Sequence, residues 1–348
     1  MRPVHGGNLA WAAQFAQCPP SMILDFSASI NPLGPPASAM QAIAAHLADL
    51  RHYPDPTYGE LRSSIAQFHG ISPDWILPGN GSAELLTWAG RELADLSETH
   101  QLTPAFGDYG RALNAFAARL VNWSIALDRP EQLPIPATAQ GGLLLNNPHN
   151  PTGKLFAAAD ILPLLEQFAL VVVDEAFMDF LPLAEQQSLI GAVAQFPNLV
   201  ILRSLTKFYS LPGLRLGYAI AHPDRLQRWQ QWRDPWTVNT LAAAAGAAVL
   251  TDTEFQQQTW TWLKTARTQL FDGLKPLPGL APYPSAANFL LVRCDRSSVA
   301  LQQQLLQQHQ ILIRDCLSFP ELGDRYFRVA VRRPEENQRL LDGLAAIL

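Results

Sequence analysis

Apolar positions along this chain recur in two rhythms that take turns. Across residues 36–50, Met40, Ile43, Ala44 and Leu47 repeat at helical spacing and predict a helix. Tyr53-Pro54-Asp55-Pro56 breaks it, and a second helix is expected over about 58–68. Short apolar runs then alternate with amphipathic stretches: 75–77, 142–145, 170–173 and 199–202 read as strands, and 83–93, 109–118 and 157–168 as helices. The run Val171-Val172-Val173 is apolar on successive residues, as in a strand buried on both faces. Strands separated by helices need crossover connections, which predicts a mostly parallel sheet between two helical layers. After about Trp236 the rhythm changes to two long helices, strands near 288–292 and 326–331, and a closing helix from about Pro334. The expected class is α/β: an N-terminal arm over 1–30, a large domain over 31–236 and a smaller α+β domain over 237–348.

A chain of 348 residues is long enough for such an arrangement. The net charge of −5 argues against a general nucleic-acid binder, which needs a basic face. No apolar run approaches the roughly 20 residues that cross a bilayer. The longest, 241–250, is alanine-rich and reads as a buried helix. Arg2 precedes an N-terminal stretch interrupted by Gln14 and Gln17, so no signal peptide is expected. Cys18, Cys294 and Cys316 lie far apart with no CxxC pair, which fits a reducing compartment and gives no support to a metal site. A cytoplasmic enzyme is the expectation.

In open α/β sheets ligands bind beyond the carboxyl ends of the strands, and the polar loops there carry the chemistry. Four are rich. Gly79-Asn80-Gly81-Ser82-Ala83-Glu84 sets glycines and a serine before a helix, whose free N–H groups suit a phosphate, though the same residues also make a plain turn. Asn147-Pro148-His149-Asn150-Pro151-Thr152-Gly153 is a stiff turn that can present the Asn150 amide, or simply lead into a helix. Asp174 ends an apolar strand, where a carboxylate needs a partner; it could equally cap the next helix. Ser204, Lys207 and Arg215 lie within one apolar loop. Desolvation there would lower the lysine pKa and favour a nucleophilic amine, while serine and arginine can hold a dianionic phosphate.

Taken in order, GNGSAE, NNPHNPTG, DEAF, SLTK and GLRLGY resemble the fold-type-I pyridoxal-phosphate enzymes of the class I/II aminotransferase group. The resemblance covers the chain from about His5 to Glu336. It implies that Lys207 holds pyridoxal 5'-phosphate as a Schiff base. Asp174 would pair with the ring nitrogen, Asn150 would hydrogen-bond the ring 3-oxygen, and Tyr109 would stack on the ring. Gly81, Ser82, Ala83, Ser204 and Arg215 would hold the cofactor phosphate. Tyr53 would reach the site of a second subunit, which implies a homodimer, and Arg328 would bind the substrate carboxylate.

Two subfamilies are similar to this chain: histidinol-phosphate aminotransferases and threonine-phosphate decarboxylases. Three features lean toward the decarboxylases. One is the opening His5-Gly6-Gly7-Asn8 followed by Asp25-Phe26-Ser27-Ala28-Ser29-Ile30-Asn31. Another is Phe177, where the aminotransferases carry a tyrosine that hydrogen-bonds the cofactor; phenylalanine donates no such bond. The third is the pair of stretches over 204–218 and 332–337. The implied reaction is loss of CO2 from L-threonine O-3-phosphate for the cobalamin side chain. His5, Ser29, Asn31, Asn150 and Arg314 are the remaining candidates for a small phosphorylated substrate, with a cap on the arm helix as the plainer alternative for His5 and a surface ion pair for Arg314. A cysteine- and histidine-rich extension known in some decarboxylases does not follow Leu348, so no metal is expected. Transamination of histidinol phosphate with 2-oxoglutarate is the alternative. A non-catalytic regulator is a third reading, without a basic recognition helix ahead of the cofactor-binding fold to support it.

Overall fold

The computed structural model describes residues 3, 5–127, 133–136 and 140–348, and Arg2 lies outside them. In chain order its strands are β1 (Leu24–Asp25), β2 (Ile76–Asn80), β3 (Thr99–Thr103), β4 (Leu120–Ser124), β5 (Gly142–Asn146), β6 (Leu170–Asp174), β7 (Leu199–Ser204), β8 (Leu216–Ala221), β9 (Leu280–Pro282), β10 (Phe289–Cys294), β11 (Ile311–Leu312), β12 (Arg314–Asp315) and β13 (Tyr326–Ala330). Seven of them form one sheet in the order β2-β8-β7-β6-β5-β3-β4. Its pairings are parallel from β7 across to β4, whereas β8 runs antiparallel to both of its neighbours. The expected mostly parallel sheet is therefore present, with one reversed strand.

The valine run explains why this sheet is central. Val171 and Val173 pack into one hydrophobic cluster and Val172 into a second, on the opposite face. Each is fully buried, and burying a valine stabilises the fold by about 1.5–3 kcal/mol. Helices follow the predicted stretches with shifted ends. The one expected over 157–168 is split into Ala158–Ile161 and Leu164–Gln167 by Pro163, which has no N–H to continue the ladder. The one expected over 36–50 ends at Ala45 and continues as the 3-10 turn Leu47–Arg51.

A second, antiparallel sheet has the order β12-β13-β10-β9, and β1 pairs in parallel with β11. The segment after β1 is stitched to both bodies of structure. Phe26 O accepts from Ala330 N at 2.8 Å, Ser29 O accepts from Asn288 Nδ2 at 3.0 Å, and Asn31 N donates to Lys207 O at 3.0 Å. That path lays residues 27–30 between the strand ends of the large sheet and the four-stranded sheet. No helix among the described residues is long and apolar enough to cross a membrane.

Candidate active site

The strands β5, β6 and β7 end in Asn146, Asp174 and Ser204, and these carboxyl ends open onto a cavity. It consists of two adjoining chambers that share Ser82, Phe106, Asp174 and Lys207 in their walls. One chamber is completed by Gly81, Ala83, Ser204, Thr206 and Arg215. The other is completed by Ser29, Asn150, Phe177, Arg314 and Arg328, among others.

Lys207 stands between them. It belongs to a single helical turn, Leu205–Phe208, that Ser204 caps; the Ser204 hydroxyl also bonds the Thr206 hydroxyl at 2.7 Å. The Lys207 Nζ lies 5.0 Å from the centre of the Phe177 ring. Burial lowers the amine pKa below the ordinary lysine value, Asp174 opposes that, and Arg215 and Arg328 push it further down. A larger share of neutral, nucleophilic amine follows. For Asp174 burial acts in the other direction and raises the carboxyl pKa. The Lys207 charge and hydrogen bonds from Tyr109 Oη (2.9 Å) and Ala176 N (3.0 Å) offset part of that cost. A cationic partner on the cavity side would complete the compensation.

The first chamber has the features of a phosphate cup. Gly81 has φ +75°, a conformation that favours glycine, and the Arg215 guanidinium lies close against its backbone. It precedes the 13-residue helix Ser82–Ala94, whose first N–H groups receive no side-chain cap from Gly81. The Ser204 and Thr206 hydroxyls and the exposed Arg215 guanidinium complete the wall. An amine, a buried carboxylate and an anion cup arranged around one cavity fit pyridoxal phosphate.

The second chamber is cationic. Arg314 and Arg328 face one another across β12 and β13, and both are buried. Burial and the neighbouring Arg314 push the Arg328 pKa down to about 10, which leaves it charged at neutral pH. Two guanidinium groups in one chamber wall offer donors that suit an anionic ligand, and Arg314 also donates to Ser318 Oγ at 2.7 Å. Arg328 Nη1 donates to Asn150 Oδ1, so the Asn150 amide nitrogen is the end left to donate elsewhere. The Ser29 hydroxyl is buried without a partner among the described residues. His5 closes the rim with its ring 6.3 Å from that of Phe106.

Two expectations need correction. Asn31 lines neither chamber: its Nδ2 donates to Phe208 O and to Thr259 Oγ1, both at 2.8 Å, and its Oδ1 accepts from Leu33 N at 3.0 Å. It ties the segment after β1 to the lysine-bearing turn and has no amide group to spare for substrate. Tyr109 also lines neither chamber. It is 1% exposed and lies beneath the floor with its hydroxyl on Asp174, while Phe106, one helical turn earlier, presents its ring to both chambers. Phe106 is therefore the aromatic ring of this segment that lines the cavity. Phe106, three residues before Tyr109, and Thr206, inside the SLTK motif, line the cavity although neither was among the expected site residues. Tyr53 stands apart from the cavity, 79% exposed and packed on Trp236 at 4.6 Å between ring centres.

The profile of the family "Aminotransferase class I and II" matches residues 21–344. Over 99% of its length the chain is 40% identical to a threonine-phosphate decarboxylase of Salmonella typhimurium, covering 96% of that protein. It is 35% identical to a histidinol-phosphate aminotransferase of Symbiobacterium thermophilum over 91% of its length and 88% of that protein's. The crystal structure of L-threonine-O-3-phosphate decarboxylase from Porphyromonas gingivalis superposes with a TM-score of 0.82 at 25% identity, covering 92% of this chain and 98% of that one. The chain belongs to the class I and II aminotransferase family of pyridoxal-phosphate-dependent enzymes.

Proposed function

We propose that the protein decarboxylates L-threonine O-3-phosphate to (R)-1-amino-2-propanol O-phosphate, a reaction of cobalamin biosynthesis. The observation that carries this reading is the facing pair Arg314 and Arg328 in the chamber beside Lys207. A substrate with a carboxylate and a phosphate on neighbouring carbons offers one anion to each. Similarity to a threonine-phosphate decarboxylase over nearly the whole chain supports it.

Pyridoxal phosphate, when bound, supplies an acceptor for the electron pair that the departing carboxylate leaves at Cα. The chain's own residues decide where that happens. Arg328 holds the carboxylate and fixes which Cα bond faces the acceptor. Arg314, with Ser29 and His5, takes the substrate phosphate. Asp174 would keep the ring nitrogen protonated, Asn150 would donate to the ring 3-oxygen, and Phe106 would cover the ring face. Gly81, Ser82, Ala83, Ser204, Thr206 and Arg215 hold the cofactor phosphate. Lys207 would hold the cofactor through its amine, and the same amine stands where it could carry a proton to Cα. Phe177 packs by the Lys207 amine and donates no hydrogen bond, which sets this site apart from one with tyrosine there.

Around this centre we place an arm over 1–30, a large domain over 31–236 and a smaller one over 237–348, working in the cytoplasm as a homodimer. Exposed Tyr53 and Trp236, with exposed Met40, Leu47 and Leu50 earlier in the chain, favour a second copy as the cover. The test is a substrate comparison on the holoenzyme. CO2 and aminopropanol phosphate should form from threonine phosphate without any oxo acid. Turnover of histidinol phosphate with 2-oxoglutarate, with threonine phosphate left untouched, would replace this reading with transamination, which the 35% identity to an aminotransferase keeps as its rival.

A further inference from the structure

We infer that Tyr109 is a positioning residue for the cofactor's ring nitrogen, acting through Asp174. Three observations carry this. The Tyr109 hydroxyl donates to Asp174 Oδ2 at 2.9 Å, and Ala176 N occupies Oδ1 at 3.0 Å, so each carboxylate oxygen has one fixed donor. An ionised carboxylate accepts about four hydrogen bonds, and Asp174 lines the cavity, so acceptor capacity remains for a ligand there. Second, Tyr109 is sealed in: its ring is edge-on to Phe106 at 5.6 Å between centres, and its neighbours include Ala112 and Leu113 in the same cluster. The hydroxyl cannot swing to another acceptor without opening that packing. Third, burial and the nearby Asp174 charge hold the hydroxyl pKa well above its ordinary value, so it remains a donor throughout the working pH range.

The consequence lies in the balance at Asp174. Burial favours the neutral carboxyl, which could not keep the ring nitrogen protonated. A donated hydrogen bond to a charged group favours the ionised form, and removing one leaves that form under-compensated. Tyr109 thus keeps Asp174 both ionised and aimed, without touching cofactor or substrate.

The inference depends on the cofactor and not on which Cα bond breaks, so it survives or fails separately from the decarboxylase reading. The experiment strips the cofactor from the folded holoenzyme and measures the affinity of the resulting apoprotein for pyridoxal phosphate and for its 1-deaza analogue, whose ring carries carbon in place of nitrogen. Wild type and Tyr109→Phe are compared, with thermal melting of each apoprotein as the folding control. Tyr109→Phe should weaken pyridoxal phosphate binding on the order of tenfold, the scale of one hydrogen bond to a charged group. It should bind the deaza analogue as wild type does. The visible band of the bound natural cofactor should also change its pH midpoint in the variant. Equal losses for both ligands would show a packing role only, and unchanged affinity for both would show no role; either result overturns the inference.

Discussion

At the residue scale, the groups that read most clearly from the sequence are those whose environment was written beside them. Asp174 ends the apolar strand β6, Lys207 lies just past β7, whose first four residues are apolar, and both line the cavity with oppositely perturbed pKa values. Direction was harder to read than position. Phe106 and Tyr109 lie three residues apart, and spacing alone does not tell which ring faces the cavity and which the floor. Asn31 was misread for a related reason: a buried amide can serve a ligand or the backbone, and only its three hydrogen bonds decide. Lys207→Ala should abolish both the visible band of the bound cofactor and turnover; a variant with full activity would remove Lys207 from the chemistry. Arg328→Leu should raise KM for threonine phosphate by roughly 10- to 100-fold, since a hydrogen-bonded charge pair is worth a few kcal/mol, while the cofactor stays bound. Steady-state kinetics on both substrate arms reads this directly, and an unchanged KM would move the carboxylate elsewhere.

Elements place these residues, and here the ladder of apolar strands was legible where one run was long enough. The strands β3, β4 and β8 went unread: β3 is Thr-His-Gln-Leu-Thr, polar yet buried, and β8 follows directly on the Lys207 loop without an intervening helix. Below the site, β6 and β7 are clamped by Arg203, which bonds Glu175 at 2.8 Å and Asp179 at 2.5 Å, all three buried. Glu175 follows Asp174 and Arg203 precedes Ser204, so this clamp holds the two strand ends that carry the site. Arg203→Met should lower stability by about 3–5 kcal/mol in denaturant titration, because two buried carboxylates lose their cation. A loss below about 1 kcal/mol would mean the clamp is dispensable. The turn that presents Asn150 also contains buried His149, whose pKa burial lowers from 6.5 to about 3. The unfolded chain then binds the proton first, so His149 contributes stability that is full above about 6.5 and is lost as pH falls toward 3. His149→Gln should accordingly flatten the fall of Tm between those pH values; a parallel curve for variant and wild type would contradict it.

For the whole molecule, the cavity lies where residues from the chain's beginning, middle and end converge: Ser29, Asp174, Lys207 and Arg328 share one wall system. Such convergence is a property of topology, which strand and helix patterns foretell only in outline. The proposed second subunit rests on Tyr53, which is exposed and absent from the lining of its own chain's cavity. Complementation makes it measurable. Dimers mixed from Lys207→Ala and Tyr53→Ala chains hold one site with both residues intact, so mixing two impaired variants should recover activity toward a quarter of the wild-type level. No recovery in a verified heterodimer would place Tyr53 outside its neighbour's site. Which Cα bond breaks can be read in a single labelling experiment. Threonine phosphate labelled with 13C in its carboxyl group, turned over in D2O, should yield all of the label as CO2 and an amine with one solvent deuteron on the carbon that bore the carboxylate. Label retained in a phosphorylated oxo acid, with the cofactor left in its amine form, would contradict it.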